Sequence, residues 1–131
     1  MWPIMIKGIG VDIVSVGRLE RWLGDSGLLE RFFHPEELAA CRSRAASLAA
    51  RFAAKEAFVK ALGTGFRGMA LKDIIVTNQA NGKPEMQVRG AALDALVKNG
   101  ANKIHISLTH ERENAVAMVV LEATEPAKCA G

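Results

Sequence analysis

Four charged side chains within residues 51–65 have types and a spacing that could bind a metal ion and an anionic ligand. Arg51, Lys55, Glu56 and Lys60 stand in a run of helix-forming residues that is otherwise apolar. Such a helix is normally buried, and a buried charge is costly unless it is paired or bound to a ligand. One carboxylate beside three cations suits a metal ion and an anionic ligand. A simpler interpretation is an ion pair between Glu56 and Lys60, with arginine and lysine stems reaching water.

A second carboxylate stands at the far end of the first predicted strand, residues 4–13. With a period of two, Gly8, Gly10 and Asp12 share one face. The two glycines leave that face bare, which indicates that another element packs closely against it. Asp12 could equally cap the helix that begins near Ser15. The lone G-x-G is only a weak sign of a nucleotide, because the rest of the dinucleotide pattern is missing.

The elements that must position these side chains follow the order β-α-α-α-β-β-α-β-β. A stripe of alanines along the central helix, which starts near Ser47, allows a close backbone approach, and Gly63-Thr64-Gly65 ends the helix. The other predicted helices cover residues 15–23, 28–33 and 90–99, with a further helix beginning at His34-Pro35-Glu36-Glu37. The other predicted strands cover residues 71–77, 84–88, 103–109 and 114–122, with a hairpin turn at Asn81-Gly82. We therefore predict an α+β fold with mostly antiparallel strands packed around one long central helix.

Length and composition bound the function. The chain of 131 residues fits one domain over residues 1–131, with a loose tail from residue 124. A net charge of +3 suits an acidic partner, yet no basic run is dense enough to follow a nucleic acid. No apolar run approaches the ~20 residues of a membrane span. We therefore expect neither a nucleic acid nor a membrane as partner. Cys41 and Cys129 lack a metal-binding spacing, so we expect free thiols and a cytoplasmic location.

Four motifs carry a resemblance to a known family. GIGVDIVSVGRLE, RFAAKEAFVKALGTG, NGKPEM and HISLTHERENAVAMVVLE, in this order and at this spacing, resemble the holo-[acyl-carrier-protein] synthases, the small bacterial class of 4′-phosphopantetheinyl transferases. The resemblance runs from about residue 7 to residue 122. It implies the 4′-phosphopantetheinyl transferase fold, and transfer of phosphopantetheine from coenzyme A to a serine of apo acyl carrier protein, which releases adenosine 3′,5′-bisphosphate. It further implies a role in fatty acid biosynthesis, dependence on Mg²⁺, and a homotrimer with active sites at subunit boundaries.

The resemblance also implies roles for the charged residues. Asp12 and Glu56 match the two carboxylates that hold Mg²⁺ in the family. Lys60 matches a lysine that neutralises or protonates the leaving bisphosphate. We expect Arg51 and Lys55 to supply positive charge for the remaining phosphates of coenzyme A.

Further roles fall on glycines, one histidine and two arginines. Gly63-Thr64-Gly65 is expected to let backbone approach coenzyme A closely. His110 lies in a loop where relatives vary, so a coenzyme A contact is carried over to it only weakly. Arg18 lies where the family's first helix meets the carrier protein, and we expect Arg18 and Arg21 to bind an acidic carrier helix.

Two functions of other classes compete with the transferase. A coenzyme A or nucleotide-binding module without activity would keep the cationic helix, but it would not need Asp12 together with Glu56. A basic adaptor that docks acyl carrier protein or nucleic acid would not need Lys60 or the turn after the central helix.

Overall fold

The computed structural model describes residues 4–65 and 68–125. Its elements are β1 (Met5–Ser15), α1 (Val16–Trp22), α2 (Ser26–Phe32), α3 (Pro35–Cys41), α4 (Ala45–Leu62), a 3₁₀ turn (Leu71–Asp73), β2 (Ile74–Asn78), β3 (Pro84–Val88), α5 (Gly90–Asn99), β4 (Lys103–His110) and β5 (Asn114–Ala123). The predicted α+β fold is confirmed. The predicted order of elements is one helix short, because four helices and not three lie between β1 and β2.

Two antiparallel sheets surround α4. The larger sheet has the strand order β1-β5-β4, and the smaller one is the hairpin of β2 and β3. In the larger sheet Asp12 pairs with Ala117, which in turn pairs with Leu108 on β4. Asp12 therefore lies inside a paired strand, two residues short of the buried Val14, and not in a helix cap. The local sequence allowed a capping role for Asp12 because it does not show how far β1 extends.

Close packing of α4 on β1 follows from the two glycines. A Cβ atom on Gly8 would lie 2.1 Å from the carbonyl oxygen of Ala61, and one on Gly10 would lie 2.0 Å from that of Ala57. Real Cβ atoms do not approach an oxygen so closely, so only glycine fits at either position. The sequence predicts a close approach at the bare strand face and another at the alanine stripe, and the structure shows that these two surfaces contact each other. It brings the backbone that carries Asp12 directly onto α4.

The helix α4 is buried on nearly every side, as its sequence predicts. Thirteen of its eighteen residues are buried, including Arg51 and Lys55. It ends at Gly63, whose φ of 76° is the left-handed conformation that favours glycine at a helix C-terminus. Within the residues that the structure describes, no helix is long and apolar enough to cross a membrane.

Some predicted boundaries differ from the structure. The strand expected to start at Leu71 begins at Ile74, because the preceding residues form the 3₁₀ turn. Thr124, the first residue of the predicted tail, is held in place: its amide donates to Asn102 Oδ1 and its carbonyl accepts from Asn102 Nδ2. The rest of the predicted tail, residues 126–131 with Cys129, lies outside the described residues. The other cysteine, Cys41, is a buried free thiol.

Candidate active site

The site is built where β1 crosses α4. Lys60 Nζ donates a hydrogen bond of 2.7 Å to Asp12 Oδ1 and reaches the carbonyl oxygen of Val11 at 3.3 Å. The Asp12 side chain is 15% exposed and that of Lys60 is 56% exposed, so the pair lies at the surface end of the crossing. Glu56 stands one helical turn before Lys60 and is half-buried.

The environment of Glu56 includes the second carboxylate. Burial raises the pKa of Glu56 above its ordinary value and the negative charge of Asp12 raises it further, whereas Arg18 and Lys60 act to lower it. The hydrogen bond to Asp12 is the main cause that raises the pKa of Lys60. Among the described ion pairs, Lys60 binds Asp12. The simpler interpretation, an ion pair between Glu56 and Lys60 within α4, is therefore replaced by an ion pair between Lys60 on α4 and Asp12 on β1.

A cavity of about 480 Å³ opens beside Glu56. Aromatic side chains dominate it: the ring centres of Trp22 and Phe52 lie 5.2 Å apart, and those of Trp22 and Phe32 lie 5.4 Å apart. Its full lining consists of Arg18, Trp22, Arg31, Phe32, Phe52, Glu56, Met69, Ala70 and Leu71. A largely apolar pocket with one carboxylate and two guanidinium groups can hold a ligand that is partly apolar and partly charged.

Arg18 lies at this pocket and not only on the outer surface of α1. Its guanidinium carbon lies 5.0 Å from the centre of the Trp22 ring and 5.1 Å from that of Phe52, within the range of cation–π contacts. Arg21, in the last turn of α1, is exposed to solvent. Both predicted carrier-binding residues are thus on α1, next to the candidate site.

Lys55 does not reach the site, which corrects the prediction that it supplies charge to phosphates. Its side chain is fully buried, and Nζ donates to Glu37 Oε1 at 2.6 Å and to the carbonyl oxygens of Leu71 and Ile74. An ammonium group has three donors, and all three are used inside the protein. Burial lowers the pKa of Lys55, while the charge of Glu37 opposes that shift.

Arg51 requires the same correction. It is 8% exposed, and it donates from Nε to the Val76 carbonyl at 3.3 Å and from its terminal nitrogen to Asn78 Oδ1 at 2.9 Å. These contacts tie α4 to β2. The structure thus assigns both cations to internal contacts, because their helix faces meet the small sheet and not solvent.

The remaining predicted residues lie around the exposed end of α4 and at one end of the large sheet. Gly63, Thr64 and Gly65 are exposed directly after α4, one turn beyond Lys60. His110 ends β4, is exposed, and lines a separate depression of about 260 Å³ with Ile13 and Asn114. Ala115 on β5 pairs with both His110 and Val14, so β5 separates His110 from β1.

The carboxylates where β1 crosses α4 are suitable ligands for a magnesium ion. Within the described parts of the chain, no cluster holds three or more His, Cys, Asp or Glu residues, which leaves two carboxylates, Asp12 and Glu56. Magnesium is typically bound through one or two carboxylates together with water and substrate phosphates, so two acidic side chains suffice. After burial, the negative charge of Asp12 is the second cause that raises the pKa of Glu56, and a bound cation would relieve this repulsion.

Comparison with known proteins decides the family. A family model described as the 4′-phosphopantetheinyl transferase superfamily matches residues 8–120. A holo-[acyl-carrier-protein] synthase from Treponema denticola is 56% identical over 122 residues, covering 90% of this chain and 99% of that protein. This chain belongs to the holo-[acyl-carrier-protein] synthase family. The resemblance predicted from the motifs is confirmed.

Solved structures of holo-[acyl-carrier-protein] synthases share the fold. An acyl carrier protein synthase from Plasmodium yoelii with ADP bound has a TM-score of 0.82 at 28% identity, covering 94% of this chain and 99% of that one. A Helicobacter pylori holo-[acyl-carrier-protein] synthase in complex with coenzyme A has a TM-score of 0.77 at 31% identity, covering 86% and 98%. The sheets and helices described above are therefore those of this synthase family.

Two features of this synthase's site escaped the sequence analysis. Glu37 had been interpreted only as an acid at a helix start, although it is fully buried beside Lys55. The wall formed by Trp22, Phe32 and Phe52 was also missed, because these residues come from three separate helices. One feature of the sequence could have indicated the role of Glu37. Lys55 lies in an apolar helix that is expected to be buried, so its charge requires a carboxylate from another element.

Proposed function

We propose that this protein transfers the 4′-phosphopantetheine group of coenzyme A to a serine of apo acyl carrier protein, with Asp12 and Glu56 acting together on the pyrophosphate. The products are holo acyl carrier protein, which serves fatty acid biosynthesis, and adenosine 3′,5′-bisphosphate. One observation carries the proposal: in a chain of this family, β1 and α4 bring Asp12, Glu56 and Lys60 together, and Glu56 also lines a pocket of about 480 Å³.

Asp12 and Glu56 are the residues that would hold Mg²⁺. The ion, when bound, neutralises charge on the pyrophosphate and makes its phosphorus easier to attack. Phosphoryl transfer depends mainly on positioning and charge neutralisation, so the fixed crossing of β1 on α4 is itself catalytically useful. It holds the two carboxylates on separate rigid elements.

Lys60 contributes positive charge at the same place. It is more than half exposed, and its raised pKa keeps it protonated at neutral pH. Because Asp12 already anchors its ammonium group, Lys60 is poised to neutralise the leaving adenosine bisphosphate or to donate a proton to it. The exposed glycine turn after α4 lies one helical turn further on, where backbone amides can approach further phosphates.

The carrier protein would dock on α1. Arg18 and Arg21 are exposed cations on that helix, and Arg18 also borders the pocket beside Glu56. An acidic helix that binds both arginines would bring its serine toward the two carboxylates. Such charge complementarity acts mainly on the association rate.

We further infer a homotrimer formed through the outer face of the large sheet. Ile9, Val11 and Ile13 on β1 are 57–63% exposed, and Met118 on β5 is 43% exposed. Contiguous exposed apolar residues of this kind mark an interaction surface. The buried free thiol of Cys41 fits the reducing conditions of the cytoplasm, where we place the reaction.

Mass spectrometry of the carrier tests this function. The protein is incubated with coenzyme A, Mg²⁺ and an apo acyl carrier protein, and the carrier is then weighed. We expect a gain of one phosphopantetheine group, lost on chelation of the metal and absent for a carrier whose acceptor serine is alanine. Coenzyme A binding without any change in carrier mass would instead indicate a binding module and contradict the proposal.

A further inference from the structure

The buried pair of Glu37 and Lys55 stands out because no proposed chemical step uses it. Both side chains have an exposed fraction of 0%. A buried ion pair is a poor stabiliser compared with apolar packing, so its presence calls for another explanation.

The hydrogen bonds of Glu37 show which elements the pair joins. Oε1 accepts from Lys55 and from the His34 amide, and Oε2 accepts from the Val76 amide at 3.1 Å. The carboxylate therefore holds the start of α3, the middle of α4 and the strand β2 in a single arrangement. The ring of Phe33 lies 5.2 Å from Lys55 Nζ and covers the pair.

The hydrogen bonds of Lys55 lead to the pocket. Its ammonium group binds the carbonyl oxygens at both ends of the turn that precedes β2, those of Leu71 and Ile74. Met69, Ala70 and Leu71 line the cavity beside Glu56, which is the next residue on α4 after Lys55. Lys55 thus holds, from the interior of the protein, the pocket wall that lies across from Glu56.

We propose that Lys55, held by Glu37, is a positioning residue: it fixes the turn of residues 71–74 and thereby sets residues 69–71 as one wall of the pocket beside Glu56. Only the expected loss of transfer activity rests on the proposed function; the structural role of Lys55 does not. Without the ammonium group, the carbonyls of Leu71 and Ile74 lose a charged donor, and the turn is free to move relative to α4. A displaced wall misplaces the bound substrate relative to the two carboxylates.

The test uses variants that distinguish a displaced pocket wall from a general loss of protein stability. Lys55→Met alone leaves a buried, unpaired carboxylate, so the double variant Glu37→Gln, Lys55→Met is the main subject. The introduced amide has a single carbonyl oxygen, which can accept from the His34 amide, whereas the Val76 amide then loses its acceptor; Glu37→Gln alone controls for that loss. The single variant Glu37→Gln keeps an acceptor for Lys55. Leu96→Ala is the matched control, because Leu96 is buried on α5 and lines a different groove.

Two measurements on the full-length protein decide the matter. Hydrogen exchange of residues 69–74 should become about tenfold faster in the double variant, less so in Glu37→Gln, and stay unchanged in Leu96→Ala. At a temperature where all variants are folded, kcat/KM for phosphopantetheine transfer should fall about tenfold or more in the double variant, with Glu37→Gln and Leu96→Ala close to wild type.

Unchanged exchange of residues 69–74 in both Glu37 variants would overturn the proposal, and so would wild-type kcat/KM in the folded double variant. The two readouts also separate this inference from the proposed function. If the wild-type protein transfers nothing, the function fails, while hydrogen exchange still decides whether Lys55 holds the wall.

Discussion

At the scale of single residues, neighbours on one helix have opposite environments. Lys55 is fully buried and internally paired, whereas Glu56 faces a pocket and the carboxylate of Asp12. Charge type alone does not separate these roles, because both residues lie in the same motif. The direction of each side chain from α4 decides which of them can reach a ligand.

Glu56→Gln should stabilise the metal-free protein at neutral pH. Burial and Asp12 raise the pKa of Glu56, so the folded protein holds this proton more tightly than the unfolded chain. Ionised Glu56 therefore costs stability, a cost that is absent below the unfolded pKa and develops as the pH rises through the folded one.

We expect the variant to melt above wild type at about pH 7.5, and the difference to disappear at about pH 3, where Glu56 is protonated in both the folded and the unfolded state. Thermal melts in chelator at both values check this. A lower melting temperature at neutral pH would instead favour a stabilising ion pair with Lys60.

Charge reversal on α1 tests the docking surface. Arg21→Glu should raise KM for the carrier and weaken its salt dependence while leaving KM for coenzyme A unchanged, because Arg21 is exposed. Arg18→Glu should do the same and also lower kcat, because Arg18 borders the pocket and acts on Glu56. Steady-state kinetics at low and high salt give both answers. If neither variant alters carrier kinetics, α1 is not the docking surface.

At the scale of elements, the crossing of β1 on α4 creates the site. The glycines of β1 let its backbone contact the alanine stripe, and this contact brings Asp12 to Lys60 and Glu56. Fold and site therefore depend on the same contact between backbones.

Gly10→Ala should disrupt fold and activity together. Its Cβ would lie 2.0 Å from the Ala57 carbonyl, so strand and helix must separate, at an expected cost of about 3 kcal/mol or more. Gly24→Ala is the control, because no atom lies within 4 Å of the added Cβ, and we expect a change of at most about 0.5 kcal/mol. Urea denaturation measures both. Equal stability of the two variants would contradict the packing argument.

Local patterns predicted the parts of the fold that depend on periodicity and turn residues. The period of two on β1, the alanine stripe of α4 and the hairpin before Pro84 were each readable from neighbouring residues. The spacing of the two glycines also predicts that Asp12 shares their face, but not which element packs against it.

Contacts between distant residues could not be predicted in the same way. Glu37 lies eighteen residues before Lys55, and Val76 lies twenty-five residues after Arg51. The spacing of Arg51 and Lys55 was compatible with a ligand, with solvent and with internal partners. Only the placement of α3 and β2 against α4 decides among these.

At the scale of the whole molecule, the β1 side of the outer face of the large sheet is apolar and uncovered within the described chain, whereas the exposed residues of β4 are polar. Its exposed β1 residues form a row beside Met118, which pairs with Val11. The opposite face of the sheet packs on α4. Covering the outer face requires another surface, and assembly with further copies of the chain would provide one.

Light scattering tests this assembly. We expect wild-type protein to be a homotrimer at micromolar concentration and Val11→Asp to give smaller species, because a charge in an apolar interface is costly. Transfer activity should fall with dissociation if the active sites lie at subunit boundaries. Lys103→Asp, an exposed change on β4 away from this row, serves as control. A fully active wild-type monomer would contradict the assembly.

The most direct test of the central claim is a comparison of transfer rates for Asp12→Ala, Glu56→Ala and the double variant. If the two carboxylates hold one ion, each single variant should lose roughly a thousandfold in rate, equivalent to several kcal/mol of transition-state stabilisation. The double variant should then be little worse than either single one, because both act through the same ion. Rate losses that simply add, with the dependence on Mg²⁺ intact, would contradict a shared site at the crossing of β1 and α4.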